Sequence, residues 1–254
     1  MKRRHHVNSW AVLMMALLVI CSPGSGQEAT SVGPPDLEGI FMGRQCVGEG
    51  SLVCPELSRE GATEVLTARA MAFSEAFDEL AAPKYDCAPA TLPGLFGDPY
   101  AFQVNQQPNR VTLSYEKDDI VRTVWLEGHD HPAPPTGAFF VHGHSTGRYE
   151  DNQLVVETTR FAFDPTGIAG DFISAPSSTQ KRLVERYYRE GERLRMDLTV
   201  EDPIFLRHAI TYVMEWRPAD RPLALPWACD PEASRRNLQL VPTKYPQDPP
   251  IVRR

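Results

Sequence analysis

The chain is predicted to be all-β, a mostly antiparallel up-and-down barrel with one N-terminal amphipathic helix. Three observations lead there. Apolar and polar residues alternate with period two from Tyr100 onward, short turn signals separate the alternating runs, and a single stretch, 58–80, shows helical spacing. Period two with one polar face marks half-buried antiparallel strands, and short connections between them mark hairpins instead of helical crossovers.

The elements follow in chain order. Lys2, Arg3 and Arg4, the apolar run from Trp10 to Cys21, and small residues around Gly24 and Gly26 have the layout of a secretory signal peptide. The apolar run is too short to span a bilayer comfortably. Residues 1–26 are therefore expected to be removed, leaving 27–254 as one β-barrel domain. A lipoprotein reading through Cys21 fits less well, because Val19 and Ile20 precede it instead of small residues. Residues 27–35 read as a polar lead-in and Leu37 to Met42 as a short strand. Val65, Leu66, Ala68, Met71, Ala72 and Ala76 recur at helical spacing within 58–80.

Strands are expected near 101–107, 111–115, 119–127, 153–159, 181–189, 193–200 and 209–216. The alternation is sharpest where Leu194, Met196, Leu198 and Val200 interleave with Arg193, Arg195, Asp197 and Thr199. Turns are expected at Gln107-Pro108-Asn109, Lys117-Asp118, Glu150-Asp151-Asn152 and Glu190-Gly191. About eight strands in a meander favour closure over an open sandwich, because closure removes exposed edges. This is the lipocalin or calycin type of arrangement, and barrels of that size can hold one ligand. The long connections 128–144 and 160–180 would sit at the barrel mouths, and the Pro-rich residues 241–254 would form a C-terminal strap.

Composition narrows the partners. The formal net charge is −7, and losing the three cations of the leader, which has no anion, takes it to −10. An acidic surface argues against nucleic acid as a partner, and no later run is long enough for a transmembrane helix. A small apolar or mixed-polarity organic ligand is the expected partner, with no cofactor fingerprint in the chain. Four cysteines would survive processing, and an even number in an exported chain points to disulfides, with three connectivities open. The favoured pairing is Cys46–Cys54 and Cys87–Cys229, with buried free thiols as the alternative.

Chemistry concentrates in Glu127 to Thr159. Four of the seven histidines, His129, His131, His142 and His144, fall in that window. Imidazole titrates near neutrality and is the commonest metal ligand. Two His-x-His pairs with Asp130 would suit zinc, iron or manganese, so a transition metal at His129, His131, His142 and His144 is one expectation. General acid–base catalysis is another. In it, His131 and His144 would exchange protons near a barrel mouth, with Glu116, Arg122 and Glu185 pointing inward from the wall. A Glu–Arg pair in a barrel is equally at home as a buried tie. Trp125, Phe139, Phe140, Tyr187 and Tyr212 are candidate ligand-lining aromatics. Gly143-His144-Ser145-Thr146-Gly147 matches the serine-hydrolase pentapeptide, but that motif needs a strand, a sharp turn and a helix, and a strand follows here.

Several segments also carry a resemblance. They are Asp98-Pro99-Tyr100, Glu127-Gly128-His129-Asp130-His131-Pro132, Gly143-His144-Ser145-Thr146-Gly147-Arg148-Tyr149-Glu150 and Leu154-Val155-Val156-Glu157-Thr158. Glu185-Arg186-Tyr187, Glu201-Asp202-Pro203 and Cys229 with Arg236-Asn237 extend it. Through these the chain resembles a group of exported bacterial proteins with the pattern Asp-Gly-Arg-x-His-Pro, then Gly-His-Ser-x-Gly-Arg-Trp-Glu-Gly-Asp-x-Leu-Val-Val-x-Thr. It departs at Glu127-Gly128-His129, Tyr149 and Asp151. The resemblance implies export and supports the fold, and it brings no activity with it. The functional expectation is an exported small-molecule pocket protein, with cofactor-independent lyase, isomerase or cyclase chemistry through His131 and His144. The alternatives are a non-catalytic ligand-binding barrel, a histidine-cluster metal enzyme, or a structural envelope domain.

Overall fold

A computed structural model describes residues 33–46, 59–97, 99–169, 175–224 and 228–238. The expected leader 1–26, the strap 241–254 and the Cys46–Cys54 bridge lie outside the described residues in whole or in part.

Nine strands close into a barrel: β1 (Gly39–Cys46), β2 (Phe102–Gln107), β3 (Arg110–Tyr115), β4 (Val121–Leu126), β5 (His144–Glu150), β6 (Gln153–Thr159), β9 (Arg182–Glu190), β10 (Arg193–Glu201) and β11 (Ile210–Pro218). Between β6 and β9 the chain leaves the wall to form a separate hairpin of β7 (Asp164–Ala169) and β8 (Ala175–Ser177). The closing seam is β1, which pairs antiparallel with both β11 and β2. The expected turns all fall between paired strands. Asp151 and Asn152 take left-handed backbone (φ 49 and 60) and Gly191 takes φ 61, as tight hairpins require.

The structure amends the expected meander in two places. First, β5 is a full strand where none was expected between 119–127 and 153–159, and it runs parallel to β4 through Val124↔Ser145, Trp125↔Thr146 and Leu126↔Gly147. A parallel neighbour requires a crossover, and 127–143 supplies it. Second, the expected helix is two: α1 (Arg59–Val65) and α2 (Ala68–Ala76). It breaks because its backbone is drawn into a bridge. Leu66 pairs with Leu206, Thr67 N–H donates to the Phe205 carbonyl, and Arg207 N–H donates to the Val65 carbonyl. Thr67 then caps α2, its hydroxyl accepting from Ala70 N–H at 3.2 Å.

The core is the barrel interior. Phe41, Phe102, Val111, Leu113, Val124, Leu154, Val156, Leu194, Met196, Leu198, Tyr212, Met214 and Trp216 are all buried there. Aromatic contacts knit one end, with Phe102 stacked on Tyr115 and edge-on to Trp216, both at 5.3 Å between centroids. The interior is thus packed by side chains where the sequence allowed for a ligand. A disulfide, Cys87–Cys229, ties the segment between β1 and β2 to the residues just before α3 (Pro231–Leu238), as expected. An Arg235–Asp86 ion pair lies beside it. Among the described residues, no helix is long and apolar enough to cross a membrane.

Candidate functional site

Strand phase decides where each candidate points. On β4 the buried positions are Arg122, Val124 and Leu126, so Val121, Thr123 and Trp125 face outward. On β5, Ser145 is buried and inward while His144 is outward. The Arg122 guanidinium is wholly inside. Its Nε donates to Ser145 Oγ at 3.0 Å, Nη2 donates to Thr158 Oγ1 at 2.6 Å, and Nη1 and Nη2 each donate to Glu185 at 2.7 Å. Tyr187 Oη donates to Glu185 Oε2 at 2.8 Å. One side chain therefore stitches β4, β5, β6 and β9 from within, across the wall section that contains the parallel pair. Only the guanidinium fork presents enough donors at fixed angles to do this. Burial alone would pull the Arg122 pKa down, but the Glu185 charge and hydrogen bonds more than offset it and hold it above its ordinary value.

β4 and β5 share only three register pairs and splay beyond them. The opening is a groove of about 280 Å³ lined by Val121, Arg122, Thr123, Trp125, Phe140, Val141, His142, Gly143, His144 and Ser145. The loop forming its other side is anchored, with Phe140 N–H donating to the Arg160 carbonyl and Ala162 N–H donating to the Phe140 carbonyl. Thr91 Oγ1 donates to the Val141 carbonyl at 2.7 Å. Gly143 makes the turn into β5 at φ +69, and a Cβ there would lie 2.6 Å from Thr158 Cγ2, so no larger residue fits.

The four histidines separate. His144 lies on the groove, and its ring centroid is 5.6 Å from that of His131, which in turn stacks on Trp125 at 5.6 Å. His142 also lies on the groove, its Nε2 turned to the Ala90 carbonyl at 3.1 Å. His129 is exposed. Among the described residues, no group of three or more His, Cys, Asp or Glu is close enough to hold a metal ion, so the expected four-histidine ligand set is not assembled. The physical reason is the stacking of His131 and the inward turn of His142. Both groove imidazoles have lowered pKa values. For His144 the cause is burial, then the charges of His131 and Arg160. For His142 it is burial, partly countered by the Ala90 carbonyl, with Arg122 and Lys181 adding to the lowering.

The remaining candidates are placed otherwise than expected. His131 and His144 lie on the outer face of the wall, because β5 adds a strand whose phase sends His144 outward. Glu116 lies just past β3, bound by Arg221 and by the amides of Ala101 and Ala224. The Arg221 hydrogen bonds lead in holding its carboxyl down to about 2. Arg122 and Glu185 point inward as expected, but as the buried tie. Tyr187 and Tyr212 belong to the packed interior, not to a ligand wall. Trp125 and Phe140 do line the groove, while Phe139 is exposed beside it. Ser145 hydrogen-bonds to Arg122 and to Thr158 Oγ1 at 2.9 Å, a structural role instead of a nucleophile's.

Sequence reasoning missed Thr123 and Val141 in the groove, and Arg160, whose carbonyl anchors the groove's loop, because nothing local signals a splayed strand pair. It also missed Lys181, 1% exposed, whose Nζ donates to the Leu92 carbonyl at 2.6 Å and the Gly167 carbonyl at 3.2 Å over the Phe161 ring. A signal for that one existed. Lys181, one residue before β9, is in phase with the inward Leu183, Glu185 and Tyr187 of that strand.

The architecture is that of a closed, mostly antiparallel β-barrel with a side-chain-filled interior and a lateral groove. No family model and no curated protein matches this chain. Among solved structures, a mutant of the fluorescent protein UnaG overlays with a TM-score of 0.29 and 14% identity, covering 48% of this chain and 73% of that one. So distant an overlay adds nothing to what the strand register itself shows.

Proposed function

We propose that this chain is an exported small-molecule-binding barrel protein that holds its ligand in the groove between β4 and the 140–143 loop. The supporting observation is the groove itself, about 280 Å³, where Trp125, Phe140 and Val141 meet His142 and His144. Ligand sites combine an apolar wall with a few polar groups that fix orientation, and this volume is at the small end of the usual range. The Cys87–Cys229 bridge supports an oxidising compartment.

Thr123 lines the groove from the outer face of a strand, where tryptophan is well accommodated. Thr123→Trp would fill the groove without touching the core. Binding of small aromatic compounds, read by calorimetry, is expected in the unaltered protein and lost in Thr123→Trp with its melting temperature kept. Undiminished binding in that variant would move the ligand elsewhere.

A second reading keeps acid–base chemistry of the lyase, isomerase or cyclase kind. It is favoured by the approach of the His131 and His144 rings and by the lowered proton affinity of His144. Recovery of a chemically altered ligand, abolished in His144→Gln, would support it.

A further inference from the structure

We infer that the β4–β5 groove takes an aromatic carboxylate, its ring against Trp125, Phe140 and Val141 and its carboxylate against His142, His144 and Arg160. This rests on the groove being the binding site. The observation behind it is an imbalance of charge around the two imidazoles. Beside His144 are His131, from the crossover, with its ring centroid 5.6 Å away, and Arg160, the residue after Thr159, which pairs with His144 across β5 and β6. His142 lines the groove together with Arg122, and Lys181, before β9, adds to the positive charge acting on it while Asp118, ahead of β4, acts against it.

Two of these cations are already answered. Arg122 is neutralised by Glu185, and Lys181 is held by carbonyls with Asp164 and Asp202 nearby. Arg160 is different. Among the described residues it makes no ion pair, and its Nη1 reaches only the Pro135 carbonyl at 3.4 Å. Its backbone is left-handed at φ 58, a conformation that non-glycine residues seldom adopt. The groove thus offers two imidazoles beside Trp125, Phe140 and Val141, and Arg160, whose carbonyl holds Phe140 N–H, stands next to it with its guanidinium free of any ion pair among the described residues. An anion with a flat apolar body satisfies both halves, whereas a bare anion would leave Trp125, Phe140 and Val141 wet.

Proton linkage follows from this arrangement. A carboxylate entering among these groups would favour the protonated imidazole, so binding would draw in a proton. Affinity should then fall as pH rises past neutrality, by at most about tenfold per pH unit for one proton taken up.

The test uses 2-naphthoate and its neutral isostere 2-naphthamide, titrated calorimetrically into the full chain at pH 6 and pH 8, in two buffers of different ionisation enthalpy. The expected result is that naphthoate binds more tightly than naphthamide, more tightly at pH 6 than at pH 8, and with proton uptake. Arg160→Gln should weaken naphthoate about fivefold and leave naphthamide unchanged, and His142→Gln with His144→Gln together should abolish the pH dependence. Equal binding of both compounds, or naphthamide alone binding, overturns the carboxylate assignment and leaves the groove as the site. Binding of neither overturns the groove reading and this inference with it. Naphthoate binding that survives Thr123→Trp would place the anion outside the groove and also overturn the assignment.

Discussion

Lys181 offers the sharpest test of the packing. Its ammonium is fully enclosed, with two carbonyls and the Phe161 ring as its company and no carboxylate in contact. Burial pushes its pKa down to about 7, with Asp164 and Asp202 pulling the other way. The unfolded chain would release this proton near 10.5, so between those values the unfolded state binds more protons than the folded one. Stability must therefore rise with pH across that window, reversing the usual behaviour of a lysine that gains a partner on folding. Working the linkage from 7 and 10.5, the gain between pH 7 and pH 9 is about 2 kcal/mol. For a domain of this size that corresponds to about 4–8 °C in Tm. The buried tyrosines Tyr115, Tyr187 and Tyr212 have raised pKa values and titrate later, so they leave this window nearly clear. Urea denaturation at pH 7, 8 and 9 measures the slope directly. Lys181→Met should lose stability at every pH through the two deserted carbonyls, yet show a flat profile. A wild-type profile that is flat, or a rise that persists in Lys181→Met, would refute the reasoning.

Two further outcomes concern the frame around the groove. Glu185→Gln should destabilise the fold by about 3–5 kcal/mol, because it strands the Arg122 charge in the interior. The double change Arg122→Met with Glu185→Leu should cost less than the single one, and denaturant midpoints compare them. Reducing the Cys87–Cys229 bridge, or replacing it by Cys87→Ser with Cys229→Ser, frees a loop of 142 residues. On the chain-entropy account the loss is about 5 kcal/mol at most, read as a fall in Tm that thiol-free buffer prevents.

Much of the wall was legible before the structure because period-two alternation is a local property. The phase of Leu194, Met196, Leu198 and Val200 needed no partner to be read, and neither did the Asp151-Asn152 and Glu190-Gly191 turns. The buried pairing of Arg122 with Glu185 was also within reach, since both lie on inward phases of their strands. The site was less legible. His131 and His144 do meet, but outside the wall, because β5 is a strand that the sequence His144-Ser145-Thr146-Gly147 does not advertise.

What the chain determined by itself is the set of short-range quantities: strand phase, turn backbone and the all-β class. Tertiary structure alone decided the parallel join of β4 to β5, the break of the helix at Leu66, and the groove between β4 and the 140–143 loop. Each of these depends on which backbone edges find each other across tens of residues. Hydrogen-bond satisfaction between distant segments settles that choice, and no local pattern records it.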